Sequence, residues 1–160
     1  MSDPDYLGTI AAVVEDLAFL MPVGPAETEP DPWRIQIEVP WVGPDGSRGR
    51  IVVALDHGAA EATATNLLGL MPGEPLAEND IQDACNELAN VIVGNLLPVK
   101  YCQDHEFHLH PPRATPTRRL CARDVVLLAL VEGVIGVAID GDADNSRILK
   151  AVRVPSGQSA

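Results

Sequence analysis

The chain has 160 residues, 46% of them hydrophobic and 21% charged, with a formal net charge of −12. That is the length of one ordinary domain with enough apolar content for a real core, which excludes a disordered chain. So large an excess of acid repels phosphate backbones and anionic lipid, so neither nucleic acid nor a membrane surface is an expected partner.

The first residues, Met1, Ser2, Asp3, Pro4 and Asp5, lack the basic region of a signal peptide, and no apolar run approaches the roughly 18 residues of a membrane span. Pro4 to Met21 reads as an amphipathic helix. Tyr6, Leu7, Ile10, Val13, Val14, Leu17, Leu20 and Met21 fall at helical spacing, Glu15 and Asp16 take the wet side, and Pro22 is the expected stop. Val23 to Pro32 is rich in proline and acid and reads as a loop. From Trp33 to Val42 the residues Trp33, Ile35, Ile37 and Val39 alternate with Arg34, Gln36 and Glu38, the pattern of a strand with one wet face. Pro44-Asp45-Gly46 is a turn signal, and Arg50 to Asp56 completes an antiparallel hairpin.

Gly58 to Leu70 returns to helix, and Pro72, Gly73 and Pro75 mark a turn. Asn79 to Leu97 is the longest helical signal, with Asn79 the expected N-cap and Gln82 its capping-box partner. Pro98 is expected to end this helix or to kink it. His105 to His110 reads as a strand, Pro111 to Pro116 as a stiff irregular connection, and Leu120 to Val131 and Val134 to Ile139 as two more strands joined at Glu132-Gly133. Neighbouring strands joined by short turns predict an antiparallel sheet with helices packed on one side, an α+β domain. Its expected extent is 1–154, with 155–160 a disordered tail. Cys85, Cys102 and Cys121 are odd in number and irregular in spacing, which fits reduced, mostly buried thiols in a cytoplasmic protein.

Several clusters invite a chemical reading and fail it. Glu106, His108 and His110 share one strand face, but three ligands in a row along a strand span about 13 Å, too far for one zinc ion. Asp140, Asp142 and Asp144 resemble the start of a calcium loop, yet Asn145 stands where glycine is required and Ala151 where the closing glutamate belongs. Neither a phosphate-cradling glycine loop nor a GxSxG elbow is present.

The central helix is different because both of its faces are patterned. Ile81, Ala84, Cys85, Leu88, Ile92 and Leu96 form a core stripe. Asp83, Glu87, Asn90 and Gly94 fall opposite, within an arc of roughly 60° at about 100° per residue. Asn86 and Asn90 are poor helix formers on an open face, and Gly94 costs about 1 kcal/mol relative to alanine. No Lys or Arg lies between Arg50 and Lys100, so the acids lack i,i+4 partners. Such residues suit a face whose amides act on something and whose bare glycine lets another surface approach.

The spacing Asp83-x3-Glu87-x2-Asn90, the string DACNELANVIVGN and the downstream Pro112 resemble the signature of the CheC/CheX/FliY chemotaxis phosphatases, and of its CheX branch in particular. The order helix, hairpin, helix, long helix, three strands resembles that family's fold to about Ala143. The resemblance implies hydrolysis of the aspartyl phosphate on a CheY-type response regulator. Asn90 would position the attacking water and Glu87 would pair with the regulator's phosphate-sensing lysine. Asp83, Asn86, Gly94 and Pro112 would meet the partner. It implies no cofactor of the chain's own, with Mg2+ arriving in the phosphorylated receiver domain. The first helix carries no Glu-x2-Asn, so the resemblance is to the single-site arrangement, and a homodimer is expected. The alternative is the same fold serving as a non-catalytic receiver-binding or scaffold module.

Overall fold

The computed structural model describes residues 5–44, 46–101 and 106–139. In chain order these form α1 (Tyr6–Ala18), β1 (Pro22–Pro25), β2 (Ile35–Val42), β3 (Arg48–Leu55), α2 (His57–Leu68), α3 (Glu78–Tyr101), β4 (His108–Leu109), β5 (Arg113–Thr115), β6 (Asp124–Leu130) and β7 (Val134–Ile139). The strands make one seven-stranded sheet in the order β1-β6-β7-β3-β2-β4, with β5 paired to another stretch of β2. All its pairings are antiparallel. The three helices form the second layer, so the expected α+β architecture holds.

Alternation along the strands decides which side is covered. Ile37, Val39 and Trp41 of β2, Ile51, Val53 and Leu55 of β3, and Ile135, Val137 and Ile139 of β7 are buried in the main core. Against them lie Ile10, Val14 and Ala18 of α1, Ala60 and Ala64 of α2, and the inner stripe of α3. A buried side chain of this kind contributes about 1.5–3 kcal/mol, so the stripes fix the helices to the sheet. At the far end of α3, Tyr101 packs with Trp41 and Phe107 at ring-centroid separations of 5.6–5.8 Å.

Several local expectations are corrected. The α1 helix ends at Ala18, well before Pro22, because Phe19 turns into the left-handed region (φ 56°) and sends its N–H back to the Val14 carbonyl. The expected loop after it begins with β1, whose prolines are tolerated because β1 is an edge strand. Asn79 is not the cap of α3. The helix already includes Glu78, and Ile81 N–H bonds the Ala77 carbonyl.

Pro98 does not end α3, since the helix continues to buried Tyr101. Proline has no N–H for the Gly94 carbonyl, and the aromatic cluster beyond it offsets that loss. The strand expected at His105 to His110 is reduced to His108–Leu109, with His105 outside the described residues. Residues 113–115 form β5 within the supposed irregular stretch, so four strands follow α3, not three. Trp33 precedes β2 and does not join its inner row. It packs on the opposite face of the sheet, where Gly136 leaves room: a Cβ there would come within 2.8 Å of the indole and 2.7 Å of Leu120. Cys121 is exposed, not buried. Cys102, the Asp140–Asp144 run and the segment 155–160 lie outside the described residues.

Candidate functional site

The site is built on α3, a helix of 24 residues anchored along most of its length. Ile81, Ala84, Cys85, Leu88, Ala89, Ile92, Val93, Leu96 and Leu97 are buried beneath it. This anchoring dictates what points outward. Asp83, Glu87 and Gly94 are exposed, and Asn86 and Asn90 are half-buried on the flank of the same face. Glu87 and Asn90 stand about 4.5 Å apart along the axis, less than one turn, so both can engage one small target.

The bonding around the stripe separates residues held inside the chain from residues left open. Gln82 Nε2 donates to Asn86 Oδ1 at 2.7 Å, which orients the Asn86 amide. Asn95 Nδ2 turns back to the Val91 carbonyl at 2.8 Å. Neither the Glu87 carboxylate nor the Asn90 amide has a hydrogen-bond or ion-pair partner among the described residues. At the start of α3, Glu78 pairs with Arg34, which fastens the first turn beside β2. That guanidinium's hydrogen bond holds the Glu78 carboxyl below its usual range.

Gly94 is open to solvent. A Cβ added there would meet only Leu109 Cδ1, at 3.6 Å, an ordinary contact. The chain's own packing therefore does not require glycine at this position. Pro112 stands apart on another element, the link between β4 and β5, half-buried. The structure brings Asp83, Asn86, Glu87, Asn90 and Gly94 onto one surface and joins Pro112 to none of them by a described bond. Gln82 is the residue that sequence reading missed in this role, although its i,i+4 spacing to Asn86 is the signal that could have found it.

Cys85 lies under the stripe and is no nucleophile, because burial pushes its thiol up to about 12. Among the described residues no group of three or more His, Cys, Asp or Glu is placed to hold a metal ion. No described helix is long and apolar enough to cross a membrane. The stripe lies on the outer surface of a helix, and the concavities beside β2 and beside α2 are lined by other residues. Two polar groups on an open helical surface suit a target presented by another macromolecule better than a free metabolite.

The chain has clear structural likenesses. A CheX chemotaxis protein from Desulfovibrio desulfuricans superposes with a TM-score of 0.63 at 17% identity, over 82% of this chain and 93% of that one. The Vibrio vulnificus CheX gives 0.60 at 18% identity, over 82% and 90%. A chain of the CheX–CheY–BeF3–Mg2+ complex from Borrelia burgdorferi gives 0.57 at 15% identity, over 82% and 92%. At these identities the likeness establishes the fold. No curated protein sequence matches. The sequence model of the family described as "Chemotaxis phosphatase CheX" matches residues 42–124, just over half of the chain and the whole of α3 with its polar stripe. With that match and the shared fold, the chain belongs to the CheX family.

Proposed function

We propose that this protein hydrolyses the aspartyl phosphate of a CheY-type receiver domain. The observation that carries the reading is the pair Glu87 and Asn90, neighbours on the outer face of a firmly anchored helix and both without a described partner inside the chain. The CheX–CheY complex of the Borrelia burgdorferi relative supports a CheY-type partner for this fold.

In this reading the Glu87 carboxylate pairs with a lysine ammonium beside the receiver's phosphoaspartate, which fixes register. The Asn90 side chain enters the phosphorylated site. Its amide oxygen accepts a hydrogen bond from a water and turns that water's lone pair toward phosphorus, in line with the aspartyl oxygen. The P–O bond to water forms as the acyl phosphate bond breaks, and free carboxylate and inorganic phosphate result. Phosphoryl transfer needs chiefly position and charge stabilisation, which an uncharged amide provides without repelling a polyanion. A magnesium ion is expected in the receiver's own acidic site. Asp83, Asn86, Gly94 and Pro112 are the proposed docking surface, with Gly94 leaving room for the visiting backbone. A homodimer in the cytoplasm is the proposed state.

The test is phosphate release from a phosphorylated receiver with magnesium present. The protein should accelerate it well above the spontaneous rate, and Glu87→Ala should weaken receiver binding without altering the melting temperature. Release at the spontaneous rate against every receiver domain of the host would overturn the reading.

A further inference from the structure

The basic residues of this acidic chain are segregated. Eight Lys and Arg residues lie in the described segments, and six of them, Arg48, Arg50, Arg113, Arg118, Arg119 and Arg123, belong to β3 or to the stretch 113–123. Arg48 and Arg50 share with Val52 and Ala54 the parity of the sheet face turned away from the helices, opposite Ile51, Val53 and Leu55. On that face lies a cavity of about 290 Å3, lined by Gln36, Glu38, Arg50, Val52, Thr115, Arg118, Arg119, Leu120, Cys121 and Ala138. Its size falls near the lower limit, about 300 Å3, of small-molecule sites.

Four features make this a formed site and not a scatter of surface charge. Its wall is pinned: Glu29 Oε2 accepts from Leu120 N–H at 2.7 Å and from Trp33 Nε1 at 2.8 Å, and the Gln36 amide donates to the Arg118 carbonyl. Gln36 is 2% exposed, so a nearly buried amide lines the cavity with only its nitrogen engaged. The one acid in the lining, Glu38, is already neutralised by Arg50 at 3.5 Å and Arg113 at 3.2 Å. The Arg118 and Arg119 guanidiniums have no ion-pair partner among the described residues.

We infer that this outer-face cavity binds a small phosphate-bearing molecule. Arg118 and Arg119 offer the planar donor forks that match phosphate oxygens. Val52, Ala138 and Leu120 supply an apolar wall for the part of the ligand that carries the phosphate. The site lies across the sheet from α3 and does not depend on the reading of Glu87 and Asn90.

Calorimetric titration of the full chain with adenosine monophosphate, inorganic phosphate and adenosine tests it, with alkylation of exposed Cys121 as a second readout. The inference expects saturable binding of the nucleotide or of phosphate below about 10 mM and none of adenosine. Phosphate alone matching the nucleotide would identify free phosphate as the source, and tighter nucleotide binding a phosphate ester. Bound ligand should slow Cys121 alkylation. Arg118→Ala with Arg119→Ala, both at exposed positions, should weaken binding roughly tenfold or more. Asn90→Ala should leave it unchanged. Absence of saturable binding by both phosphate and nucleotide, or binding that survives loss of both arginines, overturns it.

Discussion

Helices α1 and α3 pack against each other on the same face of the sheet, and their inner sides are built alike. Ile10 and Val14 under α1 and Leu88 and Ile92 under α3 are fully buried. Their outer sides are not alike. The α1 surface shows Ala12, Glu15 and Asp16, and the helix is closed at both ends, with Asp5 Oδ1 accepting from Gly8 N–H at 2.8 Å and Phe19 as the left-handed cap. The α3 surface carries Glu87, two asparagines and a bare glycine, and Pro98 interrupts its hydrogen-bond ladder. A helix that only needs to pack can use any solvated residue outside. One that accepts poor helix formers along a single line gives up stability there, which fits the proposed docking role of that line.

If the inner faces are equivalent, Leu88→Ala and Ile10→Ala should each cost about 2–5 kcal/mol in denaturant unfolding, a large share of the roughly 5–15 kcal/mol of a whole domain. A small cost at either position would break the equivalence.

Cys85 sharpens it, because α1 buries no titratable group in its stripe. The folded thiol, raised from 9.0 to about 12, stays protonated where the unfolded thiol ionises. Its contribution is therefore complete below pH 9.0 and is lost as pH rises toward 12. Cys85→Ala should remove a loss of about 1.4 kcal/mol per pH unit in that window. An unchanged alkaline profile would refute the burial argument.

Gly94→Ala should raise stability by up to about 1 kcal/mol, since the added methyl meets only Leu109. Gly94→Gln should weaken receiver binding. A destabilised alanine variant would mean that the chain itself needs the glycine. The smallest effect is expected at the start of α3. With its folded carboxyl held below 4.5 by Arg34, Glu78 contributes above that pH and the contribution disappears as pH falls through the lowered value. Glu78→Gln should lower the melting temperature slightly at neutral pH and not in acid.

The same contrast shows what sequence could and could not reveal. All three helices, the β2–β3 hairpin and β6–β7 were legible because apolar residues recur at periods that single elements impose. The missed strands, β1 and β5, are held by the sheet and not by their own residues: Pro-Val-Gly-Pro and Arg-Ala-Thr carry no strand pattern, and each is paired by a longer neighbour. Of the two outcomes expected at Pro98, a stop is excluded, because Trp41 and Phe107, distant in sequence, hold Tyr101 in place at the end of a helix that runs on past the proline. The stripe on α3 was readable because helical geometry alone aligns it. The arginine-lined cavity was not, since Gln36, Arg50 and Arg118 come from three separate segments and meet only when the sheet forms.

The most direct test sets the two outer faces against each other in one assay. Dephosphorylation of a phosphorylated receiver with magnesium should be unchanged by Glu15→Ala on α1. Asn90→Ala on α3 should reduce it by about 100-fold, toward the spontaneous rate, with the melting temperature preserved. Full activity in the Asn90→Ala protein would contradict the account.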